Sequence, residues 1–341
     1  MRVLIITATN IRTSDAPFLL AAAFERTGQS VTILPIDDEL PALAEVGYRV
    51  GGFDDPVYRR AFQRHVRKAA ASVHPDAVLV YGSNWSLEPD TLQFLRYQLR
   101  AQAALWEINQ RIFQGAQARC MPLYDHVFCL DSYYVPVLRA GGLACVEHLC
   151  AAADPEEHRP LELSDVERER YEADVSFVGT HHPERATLLS ALSDVSDRIK
   201  IYGYGWDRAG PPVSDWVRAE PVYGWKKTVI YGASLLSVHI RGPHMLHGEN
   251  FRVFEVAACA GVPLARSTPD LLACFDRDTE VLLFESAGDL RSTVKDYLER
   301  PELLSSVAEA ARKRVLRDHT YDHRAAVILD HFEHCRHRGQ S

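Results

Sequence analysis

Residues 250–265 read NFRVFEVAACAGVPLA. A single carboxylate, Glu255, sits in a short run of small and apolar residues that stops at Gly261 and passes into an apolar strand pattern, VPLAR at 262–266. Helix, glycine stop and buried strand in so few residues make one repeat of a doubly wound α/β sheet. A lone acid on such a helix costs several kcal/mol to bury unless a partner satisfies it. A ribose diol suits the role, because one carboxylate accepts two hydrogen bonds. The plainer reading is an acid near a helix N-terminus that complements the macrodipole.

The same alternation runs through the chain in both directions. Apolar runs at 2–8, 30–36, 77–82, 104–108 and 126–131 are separated by helical patterns such as 17–27, 56–73 and 89–102. Near-continuous apolar strands between helices predict a parallel sheet covered on both faces. Residues 151–172, AAADPEEHRPLELSDVERERYE, are charged and hold two prolines, so they read as a linker. Strands then recur at 174–180, 199–205, 235–241, 262–266 and 280–285, and two long helical stretches, 301–318 and 323–337, close the chain. The expectation is an N-terminal domain over 1–160 and a C-terminal domain over 161–319. The last helix, about 320–341, crosses back to the first. Ligands of such sheets bind outside the strand C-termini, so a cleft between the domains is the expected site.

The composition of these 341 residues is that of a soluble globular protein, with 47% hydrophobic and 25% charged residues. The net charge of −8 argues against nucleic acid as the main partner. Seven scattered cysteines without a CxxC pair fit a reduced, cytoplasmic protein with thiols as small core residues. No run is long or apolar enough to suggest a signal peptide or an integral membrane segment.

The polar loops after the strands are where chemistry belongs. The first, TATNIRTSDAP at 7–17, lacks GxGxxG, so a dinucleotide is not expected there. Asp15 is either a helix cap or an acceptor contact. SFVGTHHPER at 176–185 leaves a strand at Gly179 and enters a helix at Pro183. Gly179 and Thr180 with the following amides form a natural anion site, and Arg185 suits a diphosphate unless it merely pairs with Glu184. Adjacent His181 and His182 have no metal-ligand spacing, so no metal is expected. The stretch 237–255 carries Arg241, His244, His247, Gly248, Glu249 and Asn250 in its loop, with Phe251 and Arg252 opening the helix. Within its strand, His239 reads as core. Tyr204, Trp206, Trp225 and Lys226–Lys227 lie on further loops, suited to stacking on a base, holding a phosphate, or packing.

Together, DVSFVGTHHPERATLLSAL (174–192), IKIYGYGWD (199–207), FRVFEVAACAGVPLARSTPDLLACFD (251–276) and the block from Thr279 to the HTYDHRA ending resemble the C-terminal domain of group 1 glycosyltransferases. The resemblance is closer to the CgeB-like branch, and covers roughly 172–328. It implies a GT-B architecture: two Rossmann-like doubly wound domains facing a central cleft. The C-terminal domain would hold a nucleotide sugar (UDP-, GDP- or dTDP-linked) as substrate, with no cofactor, and the N-terminal domain the acceptor. The family's ribose-binding Glu falls on Glu255, and its glycine after the first strand falls on Gly179. A second family Glu, eight positions earlier, is His247 here, with Glu249 two residues on. Arg241, Arg252 and Arg185 are candidates for the diphosphate, with Asn250, Phe251, Thr180 and Tyr204 around them. Such a chain would be a metal-independent hexosyltransferase, retaining if the diphosphate itself takes the acceptor proton. Otherwise Asp15, Glu107 or Asp131 would serve as base, and His247 and Glu249 are the other residues nearest the chemistry. The alternatives are a non-catalytic spore-coat or surface protein of this fold and a sugar-nucleotide epimerase. The acceptor class stays open among small molecule, glycan, lipid and protein.

Overall fold

The computed structural model describes residues 1–7, 15–35, 56–82, 87–108, 120–218, 222–242 and 245–338. Thr9, Asn10, Arg12, Thr13, Ser14 and His244 lie outside these residues. The chain forms two compact units. The first comprises Met1–Cys150, Pro243–Gly248 and Tyr321–Ser341, and the second Ala151–Gly242 and Glu249–Thr320. The division therefore falls after Cys150 rather than at 160, and a six-residue piece of the 237–255 loop groups with the first unit.

The first unit is a parallel sheet of strands β1 (Arg2–Thr7), β2 (Ser30–Pro35), β3 (Ala77–Tyr81), β4 (Gln102–Glu107), β5 (His126–Cys129) and β6 (Val146–His148). Their order is β2-β1-β3-β4-β5-β6. The strands β1, β3, β4 and β5 are buried along nearly their whole lengths, which is why they read as unbroken apolar runs. The helices are α1 (Ala16–Arg26), α2 (Pro56–Val73), α3 (Pro89–Gln93) and α4 (Tyr134–Ala140). The first ends where Gly28 takes φ 81°, a left-handed position that costs glycine no Cβ clash.

In the second unit the elements are α5 (Asp165–Tyr171), β7 (Ala173–Val178), α6 (Pro183–Ser190), β8 (Ile199–Tyr202), α7 (Trp225–Gly232), β9 (Ser234–His239), α8 (Phe251–Ala258), β10 (Val262–Arg266), α9 (Pro269–Cys274), β11 (Leu282–Phe284), α10 (Ala287–Leu298) and α11 (Pro301–Asp318). The strand order is β11-β10-β9-β7-β8, all parallel. The last helix, α12 (Tyr321–Arg338), belongs to the first unit, tied there by Arg26 to Asp322 (2.7 Å) and by Arg324 Nε donating to the Cys150 carbonyl (2.8 Å).

The presumed linker at 151–172 is a structured part of the second unit. Ala151, Ala152 and Ala153 are fully buried. The charged residues after them build α5, which opens on a capping box: Ser164 Oγ accepts from Glu167 N, and Glu167 accepts from Ser164 N. Two things hid this: small alanines carry little hydrophobic signal, and one amphipathic turn amid charges looks like a linker.

Candidate functional site

In the second unit the chain leaves β7 for β8 on one side and returns to β9 on the other, so the connections diverge between β7 and β9. That divergence opens a crevice at the strand C-termini, bounded by the loops after β7 and β9. The loop after β8 packs against the first of these. A Cβ on Gly203 (φ 141°) would stand 2.0 Å from the Gly179 carbonyl oxygen, so only glycine fits there. The Gly179 carbonyl accepts from Trp206 Nε1 (2.7 Å), and His181 N donates to the Tyr204 carbonyl (2.7 Å). Trp206 is thus a buried packing residue. Tyr204 is 53% exposed at the edge of a groove of about 460 Å³ lined also by Gly203, Gly205, Asp207 and Ser214.

Arg185 bridges the crevice. Its Nε donates to the Ile240 carbonyl after β9 (3.0 Å) and its Nη1 to the Thr180 carbonyl after β7 (2.8 Å). Glu184, the alternative partner for Arg185 in the sequence, instead meets Arg266 at 2.8 Å. Burial, and then the neighbouring positive charge of Arg252, push the Arg185 guanidinium down to about 10. Two guanidiniums that repel each other in a half-buried crevice favour an anion between them. Arg252 is the second residue of α8; its backbone N–H donates to the Asn250 side chain (2.9 Å), which caps the helix. Asn250, Phe251 and Arg252 therefore deliver a helix N-terminus and a full positive charge to one place. Tyr223 lies nearby: its hydroxyl is pushed up by burial and by its hydrogen bond to Tyr204, and eased by Arg252.

Glu249 stands at the other side of this helix start, and is 4% exposed. Its Oε1 accepts from Asn250 N (2.8 Å) and lies 2.7 Å from Nε2 of His239, which is buried at the end of β9. Its Oε2 is buried and has no hydrogen-bond partner among the described residues. A buried carboxylate oxygen left without a donor is a costly arrangement that a ligand hydroxyl or N–H would relieve. His239 was expected to be plain core. It is buried, and its ring also lies against the Glu249 carboxylate.

Glu255 departs from the reasoning that singled it out. It is 3% exposed, but Lys227 Nζ donates to its Oε1 at 2.8 Å and the Tyr231 hydroxyl lies 3.5 Å from its Oε2. His158 Nε2 is 3.9 Å from the same carboxylate. The acid that seemed to need a ligand has partners within the chain. Lys227 reaches it from α7, where it is buried among Thr228, Val229 and Ile230. A lysine on the apolar face of WKKTVIYG was the signal, but nothing in the sequence paired it with a residue 28 positions away.

His247 and Asp131 belong to the first unit. Asp131 accepts three backbone N–H bonds, from Tyr133 (3.0 Å), Leu246 (2.7 Å) and His247 (3.2 Å). Its lone pairs hold this loop in place, which removes it as a candidate base. The His247 ring is mounted with Nδ1 3.3 Å from Ser132 Oγ and packs edge-on against Tyr133, 5.2 Å between centroids. Glu107 is buried at the end of β4, and Asp15 is buried at the start of α1, where its side chain does not cap the helix. Arg241 is half-buried just beyond β9.

Residues 184–330 match a protein family described as "Glycosyl transferase-like". Among curated protein sequences, none matches this chain. Solved structures share the whole architecture at low identity. HepE (Alr3699) of Anabaena, crystallised with UDP-glucose, is 11% identical, with a TM-score of 0.63 over 96% of this chain and 99% of that one. Sucrose-phosphate synthase of Thermosynechococcus elongatus is 12% identical, with a TM-score of 0.66 over 99% and 100%. A putative UDP-N-acetylglucosamine 2-epimerase of Listeria monocytogenes is 14% identical, with a TM-score of 0.61 over 97% of each chain. The fold is the GT-B fold of glycosyltransferases, two Rossmann-like doubly wound units, and the chain is similar to glycosyltransferases in both its C-terminal sequence and its architecture.

Proposed function

We propose that this protein transfers a hexosyl group from a nucleotide-diphosphate sugar to an acceptor hydroxyl, as a CgeB-like glycosyltransferase. The observation that carries the reading is the crevice between β7 and β9. There the charges of Arg185 and Arg252 act on each other near the start of α8, while Glu249 presents a buried oxygen without a hydrogen-bond partner among the described residues. Two guanidiniums and helix amides suit a leaving diphosphate without a metal. Glu249 Oε2 suits a donor-sugar hydroxyl, and the exposed face of Tyr204 suits a base. The donor is a UDP-, GDP- or dTDP-sugar held by the second unit, with Gly179, Thr180, Asn250 and Phe251 around the phosphates and Arg241 beside them. Glu255 stands as a ribose ligand only if the diol displaces or shares Lys227. Acceptor binding falls to the first unit, where His247 and Asp15 are the residues available to it.

In the transfer, the bond from the anomeric carbon to the diphosphate breaks. The acceptor oxygen forms the new glycosidic bond, and its proton passes to the departing diphosphate, so configuration is retained and no side-chain base is needed.

The test is a thermal-shift series with UDP, GDP, dTDP, ADP and CDP, followed by turnover of the matching sugar nucleotide. One diphosphate raises the melting temperature, with about 2.7 kcal/mol of stabilisation at a hundredfold excess over its dissociation constant. Arg252→Ala weakens that diphosphate by about 1–3 kcal/mol and the nucleoside far less. Glu249→Gln keeps diphosphate binding and loses turnover. No shift with any diphosphate on folded protein returns the non-catalytic, surface-protein reading. Interconversion of the sugar nucleotide with no acceptor present establishes the epimerase reading instead.

A further inference from the structure

A second cluster lies wholly within the first unit, apart from the groups invoked above. In the parallel register of β5 and β6, Phe128 faces Glu147. His126, two residues before Phe128, therefore lies on the same face of the sheet. The helix α12 covers that face and inserts His331, whose ring stacks on His126 (centroids 3.9 Å apart) and meets Phe128 edge-on (5.1 Å). His331 Nε2 lies 3.1 Å from Glu147 Oε2. One ligand atom from each of His126, Glu147 and His331 lies within 4.8 Å of the others. His126 is 7% exposed, and its Nε2 is buried with no hydrogen-bond partner among the described residues. No described group lies within hydrogen-bond geometry of that nitrogen, and a water or an ion would satisfy it.

We propose that His126, Glu147 and His331 bind a first-row divalent transition ion, zinc by preference, which fastens α12 to the edge of the first sheet. Two imidazoles and one carboxylate are a nitrogen–oxygen donor set suited to zinc, with the fourth position left to water. The carboxylate is half exposed, so ion and water have a path in. Bonds of about 2.0–2.1 Å to a tetrahedral ion place ligand atoms about 3.3 Å apart, close to the 3.1 Å spacing of Glu147 and His331, and His126 supplies the third ligand atom from within 4.8 Å of both. The ligating form of imidazole is the neutral one.

The full chain, stripped with a chelator and verified as folded by circular dichroism, is titrated with zinc by calorimetry and with cobalt by visible absorption. Melting temperature is followed with and without zinc. The wild type takes up one ion at this site, and its melting temperature rises with zinc. Because His126 is buried and its replacement risks the fold, Glu147→Gln and His331→Gln on the more open side are the deciding variants. Each weakens the site about tenfold or more and abolishes the thermal gain. His334→Gln, on the same helix but outside the cluster, leaves both unchanged. Binding and thermal gain that persist in Glu147→Gln and His331→Gln overturn the proposal, as does the absence of any zinc uptake by the folded wild type.

Discussion

Glu249 and Glu255 lie six residues apart around one helix start, and both are buried, but among the described residues only Glu249 has an oxygen without a hydrogen-bond partner. Lys227 meets Glu255, while His239 and the Asn250 amide engage only one oxygen of Glu249. The sequence pointed to both acids. It could not tell them apart, because the deciding partners come from α7 and β9 rather than from neighbouring residues. Removing one half of a buried ion pair leaves an uncompensated charge, at a cost of about 3–5 kcal/mol, whereas replacing both halves with apolar residues is often close to neutral. Glu255→Leu and Lys227→Met should therefore each destabilise the chain by several kcal/mol, and the double variant should recover most of the loss. Denaturant titration of the four proteins checks this. Additive losses in the double variant would show that the pair is not coupled, and would return Glu255 to the role of a ligand-facing acid.

At the scale of elements, patterning was informative wherever a strand or helix buries a continuous face. The helix 56–73 and the helix 301–318 have the limits expected from their sequence, and the apolar strand runs fall within a few residues of the observed ones. Patterning missed short elements without an apolar run. The three-residue strand β6 carries one buried apolar residue, Val146, beside the polar Glu147 and His148, so no apolar run shows, whereas β11, equally short but LLF, lies within the run at 280–285. Yet β6 provides Glu147, and with His126 on β5 and His331 on α12 it completes a cluster that no sequence spacing would suggest. That cluster has a pH signature. Burial depresses His126 from 6.5 to about 4, so the unfolded chain binds the extra proton first. The stability tied to the neutral ring is complete above about 6.5 and is lost as pH falls from there towards 4. In zinc-free buffer, melting temperature should fall more steeply over this window in the wild type than in His126→Gln. Parallel curves would show that the ring titrates normally in the folded chain.

Across the whole molecule, the chain passes between its two units after Cys150, Gly242, Gly248 and Thr320. Each unit has its own buried cores, so protection by a ligand can be read unit by unit. If the β7–β9 crevice binds the diphosphate, hydrogen exchange should slow most at the amides of β7, β9 and α8 when that nucleotide is added. Amides of β1, β3 and β4 should change little. Protection confined to the first sheet would move the nucleotide site there.

The sequence by itself determined the doubly wound α/β class, because unbroken apolar strands alternate with helices, and its motifs carried the likeness of the C-terminal half to glycosyltransferases. It also placed Gly179, Glu249 and Asn250 on loops at strand C-termini, and Arg185 and Arg252 in the first turns of the helices that follow, since these positions follow directly from the strand pattern. Only the tertiary structure decided what each polar group meets. It put Arg185 across two loops as a brace, gave Glu255 a lysine, committed Asp131 to three backbone amides, and brought His126, Glu147 and His331 together. The reason is physical. Periodicity records which face of an element is buried, a property local in the chain. The partner that satisfies a buried charge is set by how distant elements pack, and it leaves no mark on the spacing of residues.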